Sequence, residues 1–362
     1  MEKTLIVGGG IIGLLTAWEL AEAGLSVTLL ERGALARESS WAGGGILSPL
    51  YPWRYPKSVT ALAAWSQARY PDLCHRLHEE TGVDPEYQPS GLLILDEEEQ
   101  SQAQAWASAQ RQPLEILDGK SLAIREPQLQ LQPDQALLFP QVAQVRNPRL
   151  ARALRLLLQN RIQLREQEEV LGLEVENGRV QGVRTKTGKI AGDRVIVCAG
   201  AWTAQLFQPL GIQPDIQPVH GQMILFYAKP GEIRQIVLYR DRYVIPRRDG
   251  HVLIGSTLEY RGFQKITTAE AKESLYRAAL SLFPFLKHRP IEQHWAGLRP
   301  SSPQGIPYIG PYPEVEGLYY NAGHFRNGVV TAPASARLLA DQLLGREPIF
   351  DPAPYHLAAD RG

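Results

Sequence analysis

Cysteine and methionine are scarce in this chain, with two of each in 362 residues. Cys74 and Cys198 are too few for a disulfide scaffold and lack the spacing of a zinc knuckle. They favour a reduced, cytoplasmic protein, with a single disulfide as the alternative. The eight histidines form no HExxH or comparable cluster, so no metal is expected. An excess of one charge sign is also missing: Lys plus Arg and Asp plus Glu number 38 each. That balance argues against nucleic acid or an anionic membrane as a partner. Apolar runs are short of the ~20 residues that a membrane helix needs, so no membrane span is expected. Residues 5–20 follow Lys3 and precede Ala21-Glu22-Ala23 in the manner of a secretory leader. Gly8, Gly9, Gly10 and Gly13 would weaken such a leader helix, and they have a better use.

What remains is an ordinary globular balance, 44% hydrophobic and 21% charged, in a chain long enough for about two domains. Residues 4–7 are a β-branched and aliphatic run, the pattern of a strand buried on both faces. The glycines follow, then a helix over 11–23 stopped by Gly24, then a second strand over 26–30. Gly8-Gly9-Gly10-Ile11-Ile12-Gly13 therefore satisfies GxGxxG in the first turn of a βαβ unit. Gly8 permits the turn, Gly10 admits a pyrophosphate, and Gly13 lets helix and strand pack closely. The helix N-terminus offers free N–H groups and the positive end of its dipole. Glu31 closes the second strand, where a carboxylate accepts from a ribose hydroxyl and opposes a 2′-phosphate.

The motif alone leaves FAD and NAD open. The long, Gly-rich loop 39–45 suits a cofactor that continues past the ribose, no second motif of equal quality follows, and no dehydrogenase constellation of His, Lys or Tyr stands out. FAD is the expected cofactor.

Periodicity predicts further helices over 61–82, 100–111, 150–158, 269–283 and 328–344. It predicts strands over 92–95, 170–175, 180–183, 194–198, 223–227, 236–238, 243–245, 252–254 and 318–321, with 33–52 an extended loop. The short strands after 219 suggest an antiparallel sheet. The expected fold class is α/β: a Rossmann-type FAD-binding domain interleaved with a substrate domain built on an antiparallel sheet with helices. The boundaries expected for the FAD-binding domain are 1–85, 150–217 and 291–362; those for the substrate domain are 86–149 and 218–290.

Larger motifs carry a resemblance. They are residues 6–13, the loop 39–46, Val197-Cys198-Ala199-Gly200-Ala201-Trp202, Pro218-Val219-His220-Gly221-Gln222, Trp295-Ala296-Gly297-Leu298-Arg299-Pro300 and Gly323-His324-Phe325-Arg326-Asn327-Gly328. Over almost its full length the chain resembles the FAD-dependent D-amino-acid oxidase family, and within it the glycine oxidase branch of thiamine biosynthesis. The resemblance places FAD on Ile11, Ile12, Glu31, Arg32, Ser39, Ser40, Gly44, Gly45, Ile46 and Val170. It wraps the flavin ring in His324, Phe325, Arg326, Asn327, Gly328, Val329 and Val330. Backbone donors before the last helix would stabilise a reduced flavin. Arg299 matches the arginine that grips the substrate carboxylate, Arg326 a second substrate-contacting arginine, and Tyr243 a tyrosine that assists them. An ordinary surface arginine, a segment serving the flavin alone and a tyrosine packed in a sheet are the competing readings. The loop before Tyr243 is one residue shorter than in that branch, and Leu258 stands where the branch has a pocket-lining methionine. Tyr51, Trp53 and Tyr55 read either as a lid or as aromatics at a partner surface.

The resemblance implies oxidative deamination of glycine or a similar small amino acid to an imine or oxo acid, ammonia and hydrogen peroxide, with molecular oxygen as co-substrate. No catalytic acid or base is expected, because hydride transfer to flavin depends on alignment. Residues 301–308 lack the cysteine of the family's covalent-flavin members, so the FAD is expected to be noncovalent. Family analogy adds a homo-oligomer and hand-over of the imine to thiazole synthase. A D-amino-acid or imino-acid dehydrogenase with another acceptor, and a flavin-binding partner protein with little turnover, are the rival readings.

Overall fold

Two sheets, drawn from alternating stretches of the chain, carry the architecture of the computed structural model, which describes residues 2–361. The six-stranded sheet has the order Tyr308–Pro311, Leu318–Ala322, Arg194–Val197, Lys3–Val7, Ser26–Leu30, Gln163–Arg165. All neighbours are parallel except Tyr308–Pro311, which runs antiparallel on the edge. Alternation along the strands sorts the core. Ile6, Leu29 and Ile196 pack on the helices Ile11–Glu22, Lys57–Gln67, Asn147–Leu158 and Gly328–Leu343. Leu5, Val7, Leu30, Val195 and Val197 pack on Val180 and Val183, from the three-stranded antiparallel sheet Val170–Glu176, Arg179–Thr185 and Gly188–Ala191. An antiparallel meander thus covers the face where a doubly wound fold usually carries helices.

The larger sheet has eight strands, in the order Ile291–Ser301, Gln217–Tyr227, His251–Gly255, Arg242–Pro246, Ile236–Tyr239, Leu92–Ile94, Gln135–Phe139, Glu115–Asp118. One face buries Ile224, Phe226, Val244 and Ile254 against the helix Ala269–Leu282. The other turns Met223, Tyr243, Ile245 and Leu253 towards Leu50 and Tyr51. Ile291–Ser301 was expected with the FAD-binding part. It pairs instead with Gln217–Tyr227, from Gln217↔Ser301 to Phe226↔Ile291, so the expected boundary at 291 precedes a strand of the larger sheet.

The helix expected over 61–82 is two helices, Lys57–Gln67 and Tyr70–Thr81. Pro71 at the start of the second has no N–H to continue the first and prefers that position. Residues 33–52 contain one short helical turn, Ser39–Ala42, and a bridge from Ile46 to Gln144. Among the described residues no helix is long and apolar enough to cross a membrane.

Candidate active site

The first strand lies between Ser26–Leu30 and Arg194–Val197, where the chain departs to opposite sides. The crevice outside the carboxyl ends of such strands is the usual ligand position in an open α/β sheet. Gly8 turns the chain there with φ +109°, and a Cβ on it would stand 2.4 Å from the Cys198 carbonyl oxygen. A cavity of about 400 Å³ opens at this point. Gly8, Gly10, Ile11, Ile12, Glu31, Arg32, Ser39, Ser40, Gly44, Gly45, Ile46, Val170 and all of 324–330 line it. Gly13 does not. A Cβ there would fall 2.0 Å from the Gly8 carbonyl oxygen, so Gly13 shapes the turn from behind.

The lining fits a large, phosphate-bearing cofactor. Neither the Ile11–Glu22 nor the Gly328–Leu343 helix has a side-chain cap, which leaves N–H groups and positive dipole ends to the cavity. Asn327 is 3% exposed and its Nδ2 has no partner, an orphan donor in the cavity wall. Glu31 is already engaged, its Oε2 accepting from Gly9 N–H at 2.7 Å and its Oε1 from Gly33 N–H at 2.9 Å. Each oxygen keeps a lone pair for a ribose hydroxyl. Ser40 Oγ accepts from Ile11 N–H at 2.8 Å. His324 Nε2 lies 3.0 Å from Ser335 Oγ, and burial lowers its pKa to about 3, so the ring is neutral. The cavity also contains Trp202, on whose ring the Arg32 guanidinium lies at 3.6 Å. Sequence reasoning passed over this pairing because nothing in the spacing joins residues so far apart.

At its other end the cavity meets the large sheet. Arg299 pairs with Val219, and its guanidinium lies across Gly221: a Cβ there would stand 2.1 Å from Nη1. Nη2 donates to Ser256 Oγ at 2.8 Å, and Nη1 donates to the Thr257 carbonyl at 3.2 Å. Tyr243 pairs with Gly255, which also pairs with Met223, and its hydroxyl faces Met223 Sδ at 3.7 Å. The two glycines clear one face of the sheet for the arginine and the tyrosine. Arg326 enters the same cavity from the 324–330 segment.

Arg299 finds only neutral oxygens, and Arg326 has neither hydrogen bond nor ion pair to a described residue. Burial first, then the like charge of Arg326, push the Arg299 pKa down, opposed by Tyr243. An arginine still remains a cation. Two cations without a carboxylate in a half-closed pocket form a site for an anion.

Three expectations change. The short loop before Tyr243 is a tight hairpin: Arg240 and Asp241 take φ +47° and +59°, and Tyr239 pairs with Arg242. Leu258 is 45% exposed and stands outside the cavity lining. Tyr51 is buried, with its hydroxyl on Asp96 Oδ2 at 2.7 Å, and Trp53 is bonded to Glu99. These aromatics pin their loop to the large sheet, so the exposed partner surface is not formed by them.

A dinucleotide turn at the switch point, joined to a pocket of unpaired guanidiniums, defines an oxidoreductase that holds an anionic substrate against its cofactor. The chain belongs to the FAD dependent oxidoreductase family, whose model matches residues 3–342. It is similar to the glycine oxidase of Pseudomonas aeruginosa, 54% identical over 356 residues that cover 98% of each chain. The crystal structure of glycine oxidase from Geobacillus kaustophilus superposes with a TM-score of 0.95 at 29% identity, covering 100% of both chains. A bifunctional protein ThiO/ThiG of Trichormus variabilis is 30% identical over 364 residues, which are 99% of this chain and 54% of that protein.

Proposed function

We propose that this protein is a glycine oxidase: it oxidises glycine, or a similarly small amino acid, to the imine, which hydrolyses to the oxo acid and ammonia, while dioxygen becomes hydrogen peroxide. The observation that carries this reading is the pair of carboxylate-free arginines, Arg299 and Arg326, at the end of the cofactor cavity. Arg299 grips the substrate carboxylate through its planar fork, Ser256 and Thr257 hold the fork in place, and Tyr243 supplies a hydroxyl beside it. Met223 and Tyr243 line the cavity beside Arg299. When bound, FAD supplies the two-electron acceptor. The residues at 8–12, 31–32, 39–46, 170 and 324–330 would hold it. Hydride transfer needs no acid or base at the reacting carbon, so rate depends on how the clamp aligns the substrate Cα.

The flavin is held without a covalent bond. The two cysteines are free and buried, and burial raises the thiol of Cys198, the one in the cavity wall, to about 12, which leaves it a poor nucleophile. Free thiols also support a cytoplasmic protein. The fused relative supports a thiazole synthase that receives the imine before water does, and family analogy supports a homo-oligomer.

Anaerobic mixing of the purified yellow protein with glycine, sarcosine, D-alanine and D-proline tests the reading. Bleaching of the flavin band by glycine, followed by recovery and peroxide on admitting air, is the expected result. Bleaching with no peroxide on aeration would make it a dehydrogenase. Failure of all four to bleach the flavin would remove the amino-acid reading.

A further inference from the structure

Behind the Gly-rich loop of the cofactor cavity lies a buried cation without a counter-ion. Arg247 follows the strand Arg242–Pro246 and is 6% exposed. Its Nη2 donates to the Gly44 carbonyl at 2.7 Å, and its Nη1 to Gln144 Oε1 at 2.6 Å and the Val145 carbonyl at 2.9 Å. All three acceptors are neutral, and among the described residues Nε has no partner. The acids that act on it, Glu86 and Asp249, are paired with Arg146 at 3.3 and 2.6 Å. Burial first, then the like charge of Arg146, lower its pKa to about 10, so at neutral pH it stays a cation. A buried charge without a counter-ion is costly to keep.

Arg247 stays out of the cavity and reaches it through a peptide bond. Three successive carbonyls of the loop are bound from behind: Gly43 by Asn147 Nδ2 at 3.0 Å, Gly44 by Arg247, and Gly45 by Val145 N–H at 2.9 Å. In a trans peptide the N–H points opposite to the C=O. The N–H groups of Gly44, Gly45 and Ile46 therefore point away from these partners. None of the three has a partner among the described residues, and all three residues line the cavity. They form a row of donors for a negatively charged group. The middle one, Gly45 N–H, belongs to the peptide whose oxygen the guanidinium holds. A cation on the carbonyl polarises that peptide and strengthens its N–H as a donor. We propose that Arg247 is a positioning residue for the redox step: acting through the Gly44–Gly45 peptide, its charge favours the reduced over the oxidised flavin. The substrate hydride carries two electrons and one proton, so a flavin that accepts it gains one negative charge, which a polarised N–H favours. Dioxygen takes up the electron pair, that proton and the proton lost by the amine, leaving as hydrogen peroxide.

This rests on the reading of the cavity as an FAD site. The test is the two-electron midpoint potential of the bound flavin in the wild type, Arg247→Gln and Arg247→Lys, measured beside the FAD dissociation constant. Glutamine keeps a donor without the charge, and lysine keeps the charge without the fork. The wild-type potential is expected above that of free FAD. Arg247→Gln should shift the reduction equilibrium roughly tenfold towards the oxidised form, the difference between a charge-assisted and a neutral hydrogen bond, which lowers the potential by about 30 mV. Arg247→Lys should recover most of that shift. Weaker FAD binding at an unchanged potential in both variants would make Arg247 a brace for the loop and overturn the proposal. So would equal shifts in the two variants, since only one of them lacks the charge. A wild-type potential at or below that of free FAD overturns it as well, and needs no variant to fold. A wild type that binds no FAD would remove the cofactor reading, and this proposal with it. Failure to oxidise glycine is a separate result, because no substrate enters the measurement.

Discussion

At the scale of single residues, the substrate end of the cavity is built by subtraction. Gly221 and Gly255 are there because Arg299 and Tyr243 occupy the volume their side chains would need. Gly221→Ala puts a methyl into the Arg299 fork and displaces it. Misplacing a clamp by about 1 Å costs on the order of a hundredfold in rate, so kcat/KM for glycine should fall by that order while flavin content stays at the wild-type level. Steady-state kinetics with a flavin absorbance ratio checks both halves. Tyr243→Phe removes one hydroxyl from the same place and should cost roughly tenfold, the value of a hydrogen bond to a charged group. The sequence pointed to Arg299, Arg326 and Tyr243 only through longer motifs, since their numbers alone say nothing of a shared pocket. Ser256 and Trp202 were given no role because what they contribute is position: one serine holding the Arg299 fork, one indole beneath Arg32.

At the scale of elements, the last helix shows how an irregularity is repaired. Pro333 lies inside Gly328–Leu343 and cannot donate to the Val329 carbonyl one turn earlier. The hydroxyl of the fully buried Tyr70 donates to that carbonyl instead, and Ala334 N–H donates to Ser66 Oγ at 3.0 Å. Tyr70→Phe leaves the carbonyl unpaired, for an expected loss of about 1–3 kcal/mol in chemical unfolding. A second tie joins the helix Gly119–Arg125 to the large sheet. Glu126, fully buried, accepts from Arg234 N–H and Gln235 N–H at 3.0 Å, and burial raises its carboxyl from 4.5 to about 7. Between those values the folded state holds a proton that the unfolded chain releases. Stability contributed by the neutral form is therefore complete below about pH 4.5 and lost as pH rises through about 7. Glu126→Gln should flatten this slope and stabilise the protein at pH 8 by up to about 3 kcal/mol, read from urea midpoints at several pH values. Long periodic elements such as Asn147–Leu158 and Ala269–Leu282 were legible within a few residues. The strands Glu115–Asp118, Gln135–Phe139 and Tyr308–Pro311 were not, because runs of four or five residues carry no decisive period. The turn at Arg240-Asp241 was hidden for another reason: it uses φ > 0 at two residues that do not advertise it.

At the scale of the molecule, the chain crosses between its two sheets several times, and the cavity draws its wall from both. Alternation of the Rossmann-like and antiparallel stretches made that interleaving readable, but the meander on one face of the parallel sheet was visible only as a hairpin. A ligand bound to such a shared cavity stabilises the whole fold, since the unfolded chain offers no such site. At a hundred times its dissociation constant FAD should add about 2.7 kcal/mol. Stripped protein should therefore melt a few degrees lower and recover on adding FAD, and the proposed noncovalent attachment predicts that the released flavin is free in acid. Calorimetry of the two forms and the flavin content of the acid supernatant check this.

The most direct test of the central claim is hydrogen peroxide release from glycine by the FAD-loaded protein and by its Arg299→Ala variant. The account predicts peroxide from the wild type and a loss of roughly a hundredfold or more in kcat/KM in the variant, with the flavin retained. Equal turnover by the two proteins, or a wild type that releases no peroxide from glycine, would contradict it.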